Sequence, residues 1–101
     1  MKKFDLFTAL TEKGFTESTD EYGRTVLSNH YEAEADVAWY GKVTTYLYVD
    51  VYFNSDKTYA TVNYTHNIGR APFKTKGHFN DKRAYNAIGQ TVENNGFIFY
   101  K

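Results

Sequence analysis

The clearest pattern in the chain is a run in which apolar and polar side chains alternate. Residues 43–53 place mainly aliphatic side chains at one parity and tyrosines at the other: Val43, Thr45, Leu47, Val49, Val51 and Phe53 against Thr44, Tyr46, Tyr48, Asp50 and Tyr52. Successive side chains of a β-strand point to opposite faces of the sheet. The pattern therefore predicts a strand with one buried face and one tyrosine-rich face.

A second alternating segment, residues 58–65, follows this strand after a turn-forming sequence at residues 54–57. With Ser55 and Asp56 as a two-residue loop, the expected register is Val51 with Ala60, Val49 with Val62, Tyr52 with Tyr59 and Asp50 with Thr61. This register keeps the apolar side chains of both strands on one face, and a slip of one residue would turn polar side chains inward. The two segments are therefore predicted to form an antiparallel hairpin.

The residues before the central strand predict its other neighbours. Residues 33–39 alternate, with Ala33, Ala35, Val37 and Trp39 on one face and Glu34, Asp36 and Ala38 on the other. A turn at residues 40–42 then places Asp36 near Tyr46 and Glu34 near Tyr48. Two further strands are predicted near residues 15–19 and 24–31, joined by a turn at residues 20–23.

Two segments have the spacing of amphipathic helices. Their apolar stripes are Phe4, Phe7 and Leu10 with Leu6 alongside, in residues 3–13, and Tyr85, Ile88 and Val92 with Ala84 alongside, in residues 81–94. Asn80 or Asp81 is the expected N-cap of the second helix. Gly14 and Gly96 follow the helices, and both are predicted to adopt a positive φ as helix terminators. Residues 97–100 then read as a closing strand.

These elements predict one α+β domain over residues 1–101. We expect a twisted antiparallel sheet of about five strands, with the N-terminal and C-terminal helices packed on one face. A length of 101 residues is ordinary for one domain.

Composition excludes several classes of function. Twelve Lys and Arg balance twelve Asp and Glu, whereas a general nucleic-acid-binding domain is usually basic. The absence of cysteine excludes a disulfide scaffold and suits a cytoplasmic protein. No nucleophile motif, phosphate-binding loop or metal-ligand spacing occurs, so neither enzymatic activity nor a cofactor or metal is expected. No apolar run reaches the length of a membrane span.

The ten tyrosines point to a candidate binding surface. A small core cannot hold so many with every hydroxyl hydrogen-bonded, so several are expected outside it. The outer sheet face is predicted to bind a protein partner through Tyr46, Tyr48, Tyr52, Tyr59, Glu34, Asp36 and Asp50. Two structural explanations compete: tyrosines stabilise strands through cross-strand pairs, or another element covers this face.

Charge is distributed unevenly along the chain. Residues 1–65 contain six Lys and Arg against ten Asp and Glu, and residues 66–101 contain six against two. The segment 66–83 is therefore a candidate phosphate-binding region, with Arg70, Lys74, Lys76, Lys82 and Arg83 as its cations. The alternative is a solvated loop that balances the acidic half.

The leading hypothesis is a small non-enzymatic binding protein. Its size and composition are similar to those of phage or mobile-element accessory inhibitors, of the anti-CRISPR or anti-restriction type. In that hypothesis, the tyrosine and carboxylate face docks on a basic groove of a host enzyme. The alternatives are nucleic-acid binding through residues 66–83, and self-association through the sheet face.

Overall fold

The computed structural model describes residues 4–67, 73–74, 78–79 and 81–100. These residues form helix α1 (Leu6–Glu12), strands β1 (Thr16–Thr19), β2 (Thr25–Val37), β3 (Gly41–Phe53) and β4 (Tyr59–His66), two-residue strands β5 (Phe73–Lys74) and β6 (His78–Phe79), and helix α2 (Lys82–Asn94). The strands pair antiparallel in the order β1-β2-β3-β4-β5, and β6 also pairs with β4. The predicted α+β class is confirmed.

The number of strands differs from the prediction. In the described part of the chain, four strands have four or more residues, rather than about five. The two strands predicted near residues 24–31 and 33–39 are one continuous strand of 13 residues, β2. The closing strand predicted at residues 97–100 is absent, since these residues have no strand pairing.

Residues 97–100 run back along α2 instead of joining the sheet. The Glu93 carboxylate accepts hydrogen bonds from the backbone N–H groups of Phe99 and Tyr100. The Tyr100 hydroxyl donates to the Asn86 carbonyl oxygen at 3.3 Å. A helix side chain thus satisfies the backbone donors that a neighbouring strand would otherwise bind.

The core lies between the inner face of the sheet and the two helices. It joins Leu6 and Leu10 of α1 and Ala84, Ile88 and Val92 of α2 to the sheet residues Leu27, Leu47, Val49, Val51, Phe53, Ala60, Val62 and Tyr64. The predicted parity of β3 and β4 is confirmed, because these sheet positions are buried. Phe4 departs from the predicted helix stripe: it precedes the N-cap, Asp5, and is 37% exposed.

The first helix begins three residues later than predicted, at Leu6, but the N-terminus of α2 and the C-terminal ends of both helices agree with the sequence. Asp81 caps α2, and its side chain accepts hydrogen bonds from the backbone N–H groups of Arg83 and Ala84. Gly14 has a φ of 104° and Gly96 a φ of 91°, which confirms both as left-handed terminators. Neither described helix is long and apolar enough to cross a bilayer.

The predicted register of the β3–β4 hairpin is wrong. Val51 pairs with Val62, Val49 with Tyr64, Tyr52 with Thr61, and Asp50 with Asn63. The loop is longer than predicted: the Asn54 N–H donates to the Tyr59 carbonyl oxygen, and the Asn54 side-chain oxygen accepts from the Thr58 and Tyr59 N–H groups. Because the shift is an even number of residues, every side chain stays on its predicted face.

The predicted register of the β2–β3 hairpin is also wrong. Asp36 pairs with Lys42 and Glu34 with Thr44, so Glu32 is opposite Tyr46 and His30 opposite Tyr48. The turn comprises residues 38–40, and Gly41 follows it with a φ of 88°. Glycine commonly takes the left-handed position that ends a three-residue hairpin loop. Gly41 therefore lies directly after the turn, as the first residue of β3, instead of at its centre.

Candidate functional site

The seven residues predicted for partner binding all belong to the outer face, which is the side of the sheet opposite the helices. Tyr46, Tyr48, Asp50 and Tyr52 lie on β3, Glu34 and Asp36 on β2, and Tyr59 on β4. Tyr48 is 44% exposed and Tyr59 42%, and Tyr46 and Tyr52 are half-buried. In the described ranges, both helices pack on the opposite face.

The centre of the outer face is a strip of aromatic rings. Tyr46 and Tyr48 stack with their ring centroids 6.2 Å apart and their planes inclined by 21°. The His30 ring extends the strip, with its centroid 5.9 Å from that of Tyr48. Glu32 lies beside this strip, opposite Tyr46, and its carboxylate is 3.4 Å from the His30 ring nitrogen. His30 and Glu32 were missed in the sequence because the predicted register placed other residues here.

A row of carboxylates continues from this strip along β2. Glu32, Glu34 and Asp36 occupy every second position, so all three side chains lie on the outer face. Lys42 approaches Glu34 at 3.9 Å, and both side chains are about 70% exposed. Ion pairs that are so exposed contribute little. The row therefore remains available to cations from a partner.

The other end of the outer face is already occupied by contacts within the protein. The Arg24 guanidinium lies 5.0 Å from the Tyr52 ring centroid, and its Nε is 2.7 Å from Asp20. Desolvation raises the pKa of Asp20, but hydrogen bonds from Arg24 and Tyr22, together with the Arg24 charge, outweigh it and hold the pKa below 3.8. Ser28 donates to Asp50 at 2.7 Å. Tyr52 and Asp50 are thus less free than Tyr46 and Tyr48.

β2 and β3 extend past the end of β4 as a two-stranded arm, residues 32–46. The last pair between β3 and β4 is Leu47 with His66, whereas β2 and β3 stay paired out to Val37 and Gly41. The molecule is accordingly long, with a largest extent of 51 Å and a radius of gyration of 14.6 Å. A compact domain of this length has a radius of gyration of about 13 Å.

The tip of the arm presents two aromatic side chains. Trp39 is 85% exposed and Tyr40 72%, and their rings meet edge to face with centroids 5.9 Å apart. The sequence pattern placed Trp39 on the apolar face of a strand, which is wrong. Glycine directly after Trp-Tyr was the signal that these residues form the loop.

The β3 edge of the arm is closed by Asn67. The Asn67 side-chain oxygen accepts from the Tyr46 N–H at 2.6 Å, and the Asn67 N–H donates to the Tyr46 carbonyl oxygen at 3.2 Å. The Asn67 side-chain amide also donates to the Thr44 carbonyl oxygen at 3.2 Å. Asn67 therefore replaces a strand at the part of this edge nearest the core.

The alternative basic site is only partly described. Lys82 and Arg83 lie in the first turn of α2 and are exposed. Arg83 binds Asp81 at 2.8 Å, and the Asp81 carboxylate occupies the helix N-terminus where a phosphate would bind. Arg70 and Lys76 lie outside the described residues, as does the side chain of Lys74. In the described part, no three His, Cys, Asp or Glu side chains are placed to hold a metal ion.

Comparison of the chain with known protein families gives no match, and neither curated proteins nor solved structures match it.

Proposed function

We propose that the chain is a non-enzymatic protein-binding domain that docks its outer face on a basic surface of a larger partner. The observation that carries this proposal is the strip formed by the exposed rings of His30 and Tyr48 and the half-buried ring of Tyr46, bordered by the carboxylate row of β2. Tyrosine supplies a large contact area at a low cost in conformational entropy. Carboxylates accept charge-assisted hydrogen bonds from Arg and Lys.

Strand stabilisation explains part of this strip but not all of it. Tyr48 has an aromatic cross-strand neighbour, His30, and a β-branched one, Thr65, and such pairs stabilise a sheet. Tyr46 is opposite Glu32 on β2 and stacks on Tyr48 along its own strand, so neither an aromatic nor a β-branched residue of β2 supports its ring. Cross-strand pairing also leaves Tyr48 44% exposed, and this area is available to a partner.

An inhibitor of a nucleic-acid-handling enzyme is the specific form of this proposal. Grooves that bind polyanions are lined with Lys and Arg, and a row of carboxylates is complementary to such a lining. An accessory inhibitor of the anti-CRISPR or anti-restriction type from a phage or mobile element would use this chemistry. Nucleic-acid binding through residues 66–83 gains no support from the N-terminus of α2, because the Asp81 carboxylate caps it and pairs with Arg83.

The test compares two exposed tyrosines. Tyr48 lies on the outer face, whereas Tyr22, which is 77% exposed, lies in the turn between β1 and β2. A partner is captured from a host lysate, purified, and titrated against wild type, Tyr48→Ala and Tyr22→Ala. We expect Tyr48→Ala alone to weaken binding, by about 1–3 kcal/mol, with a melting temperature within a few degrees of wild type. Equal losses in both variants, or unfolding of Tyr48→Ala, would refute the proposal.

A further inference from the structure

We propose that the free edge of β2 in the arm binds an extended basic segment of the protein partner, which adds a strand to the sheet. This inference rests on the proposed function and specifies how the partner is held. The occupant is a strand with Lys or Arg at every second position. Strand addition is a common mode of peptide recognition, in which main-chain hydrogen bonds supply affinity and alternate side chains supply specificity.

The hydrogen bonds of Asn67 show which backbone groups face this edge. The N–H and carbonyl oxygen of Tyr46 both bind Asn67, so neither points toward β2. Glu32, which is opposite Tyr46, therefore forms a non-hydrogen-bonded pair with it, and its own backbone groups point away from β3. Because this pattern alternates, Glu34 and Asp36 also present their N–H and carbonyl groups to the edge.

The open stretch has defined limits. β1 pairs with β2 only from Thr25 to Ser28, and the His30 N–H is bound by the Asn29 side-chain oxygen at 2.9 Å. Beyond His30, no other described strand pairs with β2 on this side. The opposite edge of the arm is closed by Asn67 at Thr44 and Tyr46. Among the described residues, the β2 edge thus offers the longer open stretch for an added strand.

The side chains of this edge indicate the chemistry of the added strand. Glu32, Glu34 and Asp36 lie on the outer face and are exposed, and Ala33 and Ala35 alternate with them on the inner face. Opposite charges in directly facing positions stabilise an antiparallel pair. A segment that alternates Lys or Arg with small side chains therefore matches both faces.

A second copy of this chain fits the edge poorly. If two β2 edges paired antiparallel around Ala33, Glu32 of each copy would face Glu34 of the other. Like charges in directly facing positions are destabilising, and charged side chains are a common means of preventing edge-to-edge association. The charges that oppose self-pairing are those that attract a basic strand.

The first test uses the full chain and a short synthetic peptide that alternates Lys with Thr. If the strand is added, each Lys faces Glu32, Glu34 or Asp36, and the Lys N–H groups bind the β2 backbone. We expect methylation of the backbone nitrogen of each Lys to weaken binding about tenfold or more, because it removes those main-chain hydrogen bonds. Methylation of the backbone nitrogen of each Thr should have little effect, because the Thr N–H groups point away from β2. Equal binding of both methylated peptides would show simple charge attraction and overturn the inference.

The second test changes the edge itself. Glu34→Pro removes an outward N–H that the β2–β3 ladder does not use, a position where proline is tolerated in edge strands. Glu34→Gln is the matched control that keeps the N–H and loses only the charge. We expect Glu34→Pro to reduce peptide binding well beyond the effect of Glu34→Gln. If Glu34→Pro does not fold, the methylated peptides still decide the question.

The outcomes separate this inference from the proposed function. If binding of the partner depends on Tyr48 but is the same for Glu34→Pro and Glu34→Gln, the proposal of outer-face binding stands. Strand addition at the β2 edge is then refuted. A partner that binds all these variants like wild type overturns both. A wild-type dimer that Glu34→Pro converts to a monomer would assign the edge to a second copy and refute the basic occupant.

Discussion

The Tyr100 ring occupies the space that a side chain on Gly89 would need. A Cβ atom at position 89 would lie 2.5 Å from Tyr100 Cζ and 2.7 Å from Phe99 Cδ2. Gly89 is in the middle of α2, where glycine is ordinarily unfavourable. Its lack of a side chain lets residues 97–100 pack directly on the helix.

We therefore expect Gly89→Ala to destabilise the protein. Alanine improves helix propensity by about 1 kcal/mol, but overpacking costs about 1–3 kcal/mol, and Phe99 is buried and cannot move aside freely. The expected net loss is up to about 2 kcal/mol, measured by denaturant unfolding. Gln90→Ala, at the exposed neighbouring position, should change stability by less than about 0.5 kcal/mol. A raised melting temperature for Gly89→Ala would contradict this account of the C-terminal segment.

Truncation of the sheet core should have a larger effect than truncation of the outer face. Val49 and Val62 are 0% exposed, so we expect Val49→Ala or Val62→Ala to cost about 1–3 kcal/mol through the space each leaves. Thr44→Ala, on the exposed parity of β3, is the control and should be nearly neutral. Unchanged denaturation midpoints for both valine variants would be incompatible with the observed core.

Asp81 should make stability depend on pH. The hydrogen bond from the Arg83 side chain holds the pKa of Asp81 below its ordinary value of 3.8, and the N–H of Ala84 lowers it further. A carboxyl with a lowered folded-state pKa stabilises the protein above 3.8 and loses that contribution as pH falls through the lower value. Wild type should thus melt above Asp81→Asn near pH 5, and the difference should shrink in acid. A difference in melting temperature that stays constant as the pH falls well below 3.8 would contradict this expectation.

Trp39 provides a direct probe of the arm tip. It is the single tryptophan and is 85% exposed, so acrylamide should quench its fluorescence nearly as well in the native protein as in denaturant. Trp39→Ala should change stability by less than about 0.5 kcal/mol, because the side chain has little buried surface to lose. Strongly protected native fluorescence would mean that the tip is covered in solution.

The sequence predicted the sheet face of each side chain far better than it predicted which residues pair across neighbouring strands. Alternation over residues 43–53 is set by burial, so the inner and outer positions of β3 could be assigned without knowing any partner strand. Register depends on loops, and here local side-chain chemistry decided it. Asn54 closes a longer loop with its own side-chain oxygen, which a two-residue turn rule does not anticipate.

The same limit explains the candidate site. Tyr46 and Tyr48 were assigned to the outer face by parity alone, and they do form its centre. Their neighbours His30 and Glu32 depend on the β2–β3 register and were therefore missed. The prediction of a closing strand at residues 97–100 was wrong for a related reason. Phe97 and Phe99 are buried, as an alternating pattern implies. The Glu93 side chain, however, accepts the backbone hydrogen bonds of Phe99 and Tyr100 that a neighbouring strand would otherwise accept.

In the described part of the chain, β2 and β3 pair only with each other beyond the Thr44 carbonyl that Asn67 binds, so the length of the distal arm is independent of the folded core. Removing Ala35 and Asp36 together with their partners Val43 and Lys42 would shorten the hairpin by one full pleat and leave every remaining side chain on its present face. Removing a single pair would turn the side chains of the tip to the opposite face of the sheet. The reach of Trp39 can therefore be lengthened or shortened in steps of two residues per strand, which makes the arm a part that evolution or design can adjust without repacking the interior.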